Sequence, residues 1–161
     1  MSLHLVIGTP MYGGMCTSEY TDSLLKLSES CNKSGVKLTT IFLGNESLIQ
    51  RGRNTIAHHF MNLPDATHLM FIDADIKFRV EDIVKMIKAD KELIIGPVAL
   101  KGYNWEQIRM AALAGEDDIG RTGGVFNINT LPGIEMEDEE TPFEIEHGGN
   151  AFMLIRRDCF E

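Results

Sequence analysis

Along this chain short apolar runs are separated by amphipathic stretches, the alternation expected of an α/β protein. Leu3 to Gly8 (LHLVIG) predicts a first strand running into a loop, Thr9-Pro10-Met11-Tyr12-Gly13-Gly14. Pro10 disfavours helix at Thr9, and the glycines permit tight backbone. Thr17 or Ser18 can cap a helix over about 19–32, with Tyr20, Leu24, Leu25, Leu27 and Cys31 as its apolar stripe and Ser34-Gly35 as its stop. Val36 to Leu43 is β-branched and partly alternating, a second strand. Ser47 can cap a helix over about 48–62, in which Leu48, Ile49, Ile56, Ala57, Phe60 and Met61 form the buried stripe. Pro64-Asp65-Ala66 is a turn. Four consecutive apolar residues, Leu69 to Ile72, then read as a strand buried on both faces.

After that strand the pattern predicts a helix over Val80 to Lys88, with Ile83, Val84, Met86 and Ile87 apolar, and a strand over Leu93 to Val98. Gly96-Pro97 ends it, which places Lys101 and Tyr103 near the edge where the preceding strand stops. From Gly102 to Thr141 regularity fades, with a short strand over Val125 to Ile128 and acidic stretches at 115–118 and at Glu135-Met136-Glu137-Asp138-Glu139-Glu140. A polar segment this long reads as a lid or as disordered chain, and its acids as a solvated face. Strands over Phe143 to His147 and Ala151 to Ile155 flank Gly148-Gly149-Asn150, and a helix starts at Arg156. Without repeats or linkers the chain reads as one domain over 1–161, either by itself or as the N-terminal portion of something longer.

Candidate chemistry centres on Asp73-Ala74-Asp75. Two acids closing an apolar strand repel one another and lose hydration, so a cation or a set of donors must compensate. Mg²⁺ and Mn²⁺ prefer carboxylate oxygens and work beside phosphate oxygens, so the motif suits a metal–diphosphate site. The plain alternative is a turn with two solvated acids. Arg51 and Arg53, two apart on a helix, cannot share a face: one points to the sheet edge and the other to solvent, and Arg53-Asn54 is suited to grip a base, ribose or phosphate. His58-His59 reads as an exposed-and-packed pair rather than a metal site.

With 161 residues, 43% hydrophobic and 24% charged, the chain can bury one core. A formal charge of −9 disfavours general nucleic-acid binding. Cys16, Cys31 and Cys159 have no metal-type spacing and read as reduced thiols, consistent with a cytoplasmic protein; no membrane span or signal peptide is legible.

This organisation resembles a nucleotide-sugar glycosyltransferase of the GT-A type. Ser47-Leu48-Ile49-Gln50-Arg51-Gly52-Arg53-Asn54 followed by Leu69-Met70-Phe71-Ile72-Asp73-Ala74-Asp75-Ile76 is similar to a pattern in fungal mannan-polymerase-type mannosyltransferases and in small glycosyltransferase domains of large algal DNA viruses. Gly148 to Arg157 resembles the glycine-rich strand and Arg-Arg segment of many GT-A enzymes. The resemblance implies a Rossmann-like sandwich with a mostly parallel central sheet flanked by helices, a nucleotide-binding part over about 1–100 and an acceptor part over about 101–161. It implies transfer of a sugar from a nucleoside-diphosphate donor, by preference a UDP-sugar, to a glycan or glycoprotein acceptor, and a location in host cytoplasm if the protein is viral. Thr9, Pro10 and Tyr12 would line the nucleobase and ribose pocket, and Arg53 and Asn54 would help hold the nucleotide. Asp73 and Asp75, with Ala74 between them, would meet the ribose and an Mn²⁺ or Mg²⁺ ion. Lys101, Gly148, Gly149 and Asn150 would border the acceptor. The family's base and its C-terminal histidine ligand have no counterpart before Glu161, which leaves Glu146 or Glu144 as base and His147 as a further ligand.

Three rival classes remain. A haloacid-dehalogenase-type phosphohydrolase carries its Asp-x-Asp on the first strand, followed by Thr, whereas Ile76-Lys77 follows here. A dinucleotide oxidoreductase needs Gly-x-Gly-x-x-Gly, which Gly8-Thr9-Pro10-Met11-Tyr12-Gly13 does not give. A non-catalytic nucleotide-sugar binding domain would keep the pocket and lack the base.

Overall fold

The computed structural model describes residues 2–134 and 141–160; the acidic run 135–140 and Glu161 lie outside the described residues. In chain order the elements are β1 (His4–Met11), α1 (Ser18–Ser34), β2 (Lys37–Gly44), α2 (Ile49–Met61), β3 (His68–Ile72), α3 (Val80–Lys88), β4 (Leu93–Ile95), β5 (Ala99–Tyr103), α4 (Trp105–Ala114), α5 (Ile119–Thr122), β6 (Gly124–Phe126), β7 (Ile128–Thr130), β8 (Ile145–Gly148) and β9 (Phe152–Arg156). The backbone divides into two compact units, one reaching to Gly96 and resuming at Asn150, the other spanning Pro97–Gly149. Strand β9 belongs with the first unit.

The first unit is built on a five-stranded sheet of order β2-β1-β3-β9-β4. Strands β2, β1 and β3 are parallel, β9 is antiparallel to both of its neighbours, and β4 consequently runs with the first three. The architecture is α/β with a mixed, mostly parallel sheet.

Alternation along the strands sends two sets of side chains to opposite faces. Val6, Leu69, Phe71 and Ile155 pack with Ile56 and Phe60 of α2 and with Ala66. Leu5, Ile7, Met70, Ile72, Phe152 and Leu154, also buried, take the other face. There Tyr20 of α1 meets Phe78 edge-on at 6.1 Å, Phe78 meets Phe152 at 5.9 Å, and α1 contacts α3. A Cβ at Gly8 would collide with Ile56 Cγ2, so this glycine lets α2 approach the sheet.

Strand β1 runs three residues beyond its predicted end. Its ladder to β3 stops at Gly8↔Phe71, while that to β2 continues to Met11↔Gly44. Past Gly8 the strand has a ladder on one side only, where a proline is tolerated, and Pro10 sits there. Tyr12–Gly14 is a single 3₁₀ turn, with Gly13 at φ 69° and Gly14 at φ 70°.

Helix α1 starts from Thr17, whose Oγ1 accepts the Tyr20 N–H at 3.2 Å, and ends on Gly35 in the left-handed conformation. The expected Ser47 cap of α2 is a different device: α2 begins after Leu48 without a side-chain cap, and Glu46 Oε1 accepts the Leu48 N–H at 3.0 Å. At the other end of α2, Arg157 donates to the carbonyls of Leu63 (2.9 Å), Ala66 (3.3 Å) and Met61 (3.1 Å), and its guanidinium lies 5.5 Å from the Phe60 ring centroid. Arg157–Phe160 forms one 3₁₀ turn where the sequence predicts the start of a helix.

The second unit holds two antiparallel ribbons, β5 with β6 and β7 with β8. Its helix α4 falls in the stretch expected to be irregular. Asn104 Oδ1 caps it by accepting the Gln107 N–H at 3.1 Å, and Gly115 closes it at φ 77°.

Candidate functional site

Two strand ends of the first unit form the candidate site. Beyond β1 and β3 lies a cleft of about 520 Å³, lined by Pro10, Tyr12, Met15, Cys16 and Thr17, by Asp73, Ala74 and Asp75, by Glu46 and Ser47 of the β2–α2 connection, and by Ile49 at the start of α2. Ligands of open α/β sheets bind at the carboxyl ends of strands, and this cleft sits there.

The Asp-x-Asp turn is fixed from several directions. Asp73 N–H donates to the Ala151 carbonyl at 2.9 Å, Ala74 carbonyl accepts the Thr17 N–H at 2.9 Å, and Ile76 N–H closes the turn on Asp73 carbonyl at 3.1 Å. Phe78 N–H then donates to the buried Ser23 Oγ at 3.1 Å. The turn is thus tied to α1 on one side and to the entry of β9 on the other. Tethers of this kind hold a site's geometry before a ligand arrives.

The two carboxylates differ in surroundings. Arg53 Nη2 donates to Asp73 Oδ1 at 2.6 Å and to the Asn150 carbonyl at 3.3 Å. Its Cζ lies 5.8 Å from the Phe71 ring centroid, within cation–π range. Asp75 is exposed and faces the cleft. Arg53 is not among the cleft-lining residues, and Asn54 is exposed on α2 and does not line it either. Arg51 is the solvent-facing member of the pair: its Nε and Nη2 meet Glu46 at 2.5 and 2.7 Å. Those charged donors, with the Leu48 N–H, hold the Glu46 carboxyl down to about 2, so this cleft residue is ionised at any ordinary pH.

Of the residues expected in a nucleobase pocket, Pro10 and Tyr12 line the cleft, and the Tyr12 side chain is 78% exposed. Thr9 corrects the expectation. It is fully buried on the α1 face of the sheet, where its hydroxyl shares a 2.5 Å hydrogen bond with Tyr20 Oη. The signal was present in the sequence, since Leu5, Ile7 and Thr9 fall on one face of a strand once β1 is carried past Gly8.

The remaining candidates belong to the second unit, apart from Asn150. Lys101 is on β5, Glu146, His147 and Gly148 are on β8, and Glu144 just precedes β8. Gly149 N–H donates to the Asn127 carbonyl at 2.8 Å, and Asn150 contributes its carbonyl to Arg53. Among the described residues no three His, Cys, Asp or Glu side chains gather closely enough to hold a metal ion. Asp73, paired with Arg53, and Asp75 supply carboxylate oxygens, the donor type that Mg²⁺ or Mn²⁺ takes together with substrate phosphate and water. Met15, Cys16, Thr17, Glu46, Ser47 and Ile49 went unrecognised as cleft residues, because their meeting depends on the order of β2, β1 and β3 in the sheet.

No protein-family pattern matches this sequence, and no curated protein matches it. Among solved structures, it is similar to the crystal structure of A197 from STIV, with a TM-score of 0.59 and 16% identity over 97% of this chain. The chain spans 66% of that protein's length, and at this identity the likeness is one of fold. No helix among the described residues is long and apolar enough to cross a membrane.

Proposed function

We propose that this chain is a metal-dependent glycosyltransferase that moves a sugar from a nucleoside-diphosphate donor, by preference a UDP-sugar, to a glycan or glycoprotein acceptor. The observation that supports this reading is the tethered Asp-x-Asp turn at the end of β3, which lines one cleft together with Pro10 and Tyr12. The exposed Tyr12 ring offers a face for a nucleobase. Asp75, with Asp73 beside it, would hold Mn²⁺ or Mg²⁺, which supplies Lewis-acid stabilisation of the charge developing on the departing diphosphate.

What the chain itself contributes is placement. Thr17 and Ala151 fix the backbone of the turn, so the carboxylates need not reorganise as the leaving group gains charge. Glu146 and Glu144 remain candidates for deprotonating the acceptor hydroxyl, and Lys101, Gly148 and Gly149 candidates for bordering the acceptor, all within the second unit. A dehalogenase-type phosphohydrolase fits less well, because the motif closes the third strand and Arg53 already engages its first aspartate.

The test is a panel of UDP- and GDP-sugars with and without Mn²⁺, followed by binding calorimetry and by release of free sugar. Metal-dependent donor binding with slow hydrolysis is the expected result. Metal-dependent binding without any turnover, even with acceptors supplied, would favour a non-catalytic nucleotide-sugar binding domain. Phosphate release from simple phosphomonoesters would favour the phosphohydrolase.

A further inference from the structure

We propose that β2 is the contact between two copies of this chain, paired antiparallel about a two-fold axis at Thr40 so that their five-stranded sheets become continuous. Strand β2 closes one edge of its sheet, and among the described residues no strand pairs with its outer side. Lys37 lies opposite His4 and donates its N–H to the Leu3 carbonyl at 3.2 Å. Alternate residues of a strand send their main-chain groups to the same side. Lys37, Thr39, Ile41 and Leu43 therefore serve β1, while Leu38, Thr40 and Phe42 turn N–H and C=O outward.

Edge strands are ordinarily kept from pairing by being short, or by proline, a bulge or charge. The opposite edge, β4, has three residues. Strand β2 has eight, an unbroken register with β1 and no proline, and its single charged residue, Lys37, stands at one end. The sequence of the edge also names its occupant, because it is complementary to itself. Two copies crossing at Thr40 set Thr40 against Thr40 and Leu38 against Phe42, and the three pairs exchange about six main-chain hydrogen bonds. These side chains share the α1 face with their register partners Leu5, Ile7 and Thr9, and Phe42 is 49% exposed, which leaves ring area for Leu38 of the second copy to cover. Charge points the same way. The chain carries −9, yet residues 36–44 include no acid, and the crossing holds the two Lys37 side chains at opposite ends of the contact. One strand from each copy is a small interface, so the dimer is weak and reversible.

Sedimentation equilibrium of the whole chain across the micromolar range tests this, with the folding of each variant checked by circular dichroism. The parent should move from one-chain toward two-chain mass as concentration rises. The Thr40 side chain is exposed and its N–H faces away from β1, so substitutions there leave the β1 ladder intact. Thr40→Pro removes both main-chain bonds at the axis and should weaken self-association about tenfold or more. Thr40→Lys and Thr40→Glu each oppose like charges at the axis and should weaken it about threefold or more. An equimolar mixture of those two variants pairs opposite charges there and should associate more tightly than either variant alone, a rescue that only a contact crossing at this residue produces. A parent that keeps one-chain mass throughout, a dimer that Thr40→Pro leaves unchanged, or a mixture no tighter than its components would overturn the proposal.

Discussion

The hydrogen bond between Thr9 and Tyr20 joins two buried hydroxyls, each of which has the other as its described partner. Burial pushes the Tyr20 phenol above its ordinary range, so it stays protonated and the pair persists across neutral and mildly alkaline pH. Tyr20→Phe keeps the ring against Phe78 but leaves Thr9 Oγ1 buried and unmatched, a cost of about 1–3 kcal/mol. Thr9→Val leaves Tyr20 Oη in the same state at similar cost. The double variant removes both polar atoms with little change in shape and is expected to lose only ~1 kcal/mol. The cycle should therefore show a coupling of at least ~1 kcal/mol, with the double variant more stable than the sum of the singles requires. Equilibrium urea unfolding followed by circular dichroism at constant m-value measures it. Additivity within ~0.5 kcal/mol, or a Tyr20→Phe variant as stable as the parent, would refute the buried pair and with it the placement of Thr9 inside the sheet rather than in the cleft.

Replacing Arg157 by Leu removes three hydrogen bonds to carbonyls at and beyond the end of α2, and urea unfolding should register a loss of about 2–4 kcal/mol; Arg157→Lys, with a single ammonium, should recover less than half of it. Gly14→Ala meets no neighbouring atom, so only its positive φ opposes the change, and a loss of about 1 kcal/mol in the same assay is expected. Burial, and then the nearby charges of Lys37 at His4 and Arg156 at His68, lower both histidines below their ordinary value. The unfolded chain then binds more protons than the folded one as pH falls below about 6.5, so stability is full above that value and declines through the lowered folded-state values, at most ~1.4 kcal/mol per pH unit for each histidine. Thermal melts from pH 7.5 to 5 should show this fall, and His4→Gln should flatten it.

Much of the first unit was legible in the chain because its elements are strongly periodic: β3, α3 and the capped α1 fall where the apolar spacing puts them. Strand order was not legible. Nothing in Ala151 to Ile155 announces that β9 enters between β3 and β4 and runs against both, since a buried strand looks the same in either direction. The pairing of Arg53 with Asp73 follows from that order and from the approach of α2, so the sequence predicts one inward arginine without naming its partner. Helix α4 is different, because its signs were in plain view: Asn104 and Gln107 are spaced as a capping box and Gly115 stands one residue beyond the last helical position. The surrounding glycines and acids outweighed them.

The central claim is that a divalent cation at Asp75 joins a sugar donor's diphosphate to this cleft. Crystals grown with Mn²⁺ and UDP-glucose, with diffraction recorded near the manganese absorption edge, address it directly. The expected result is an anomalous peak beside the Asp75 carboxylate, bridged to the diphosphate, with the base against Tyr12. A donor bound elsewhere, or a cleft without manganese at saturating concentrations of both, would contradict it.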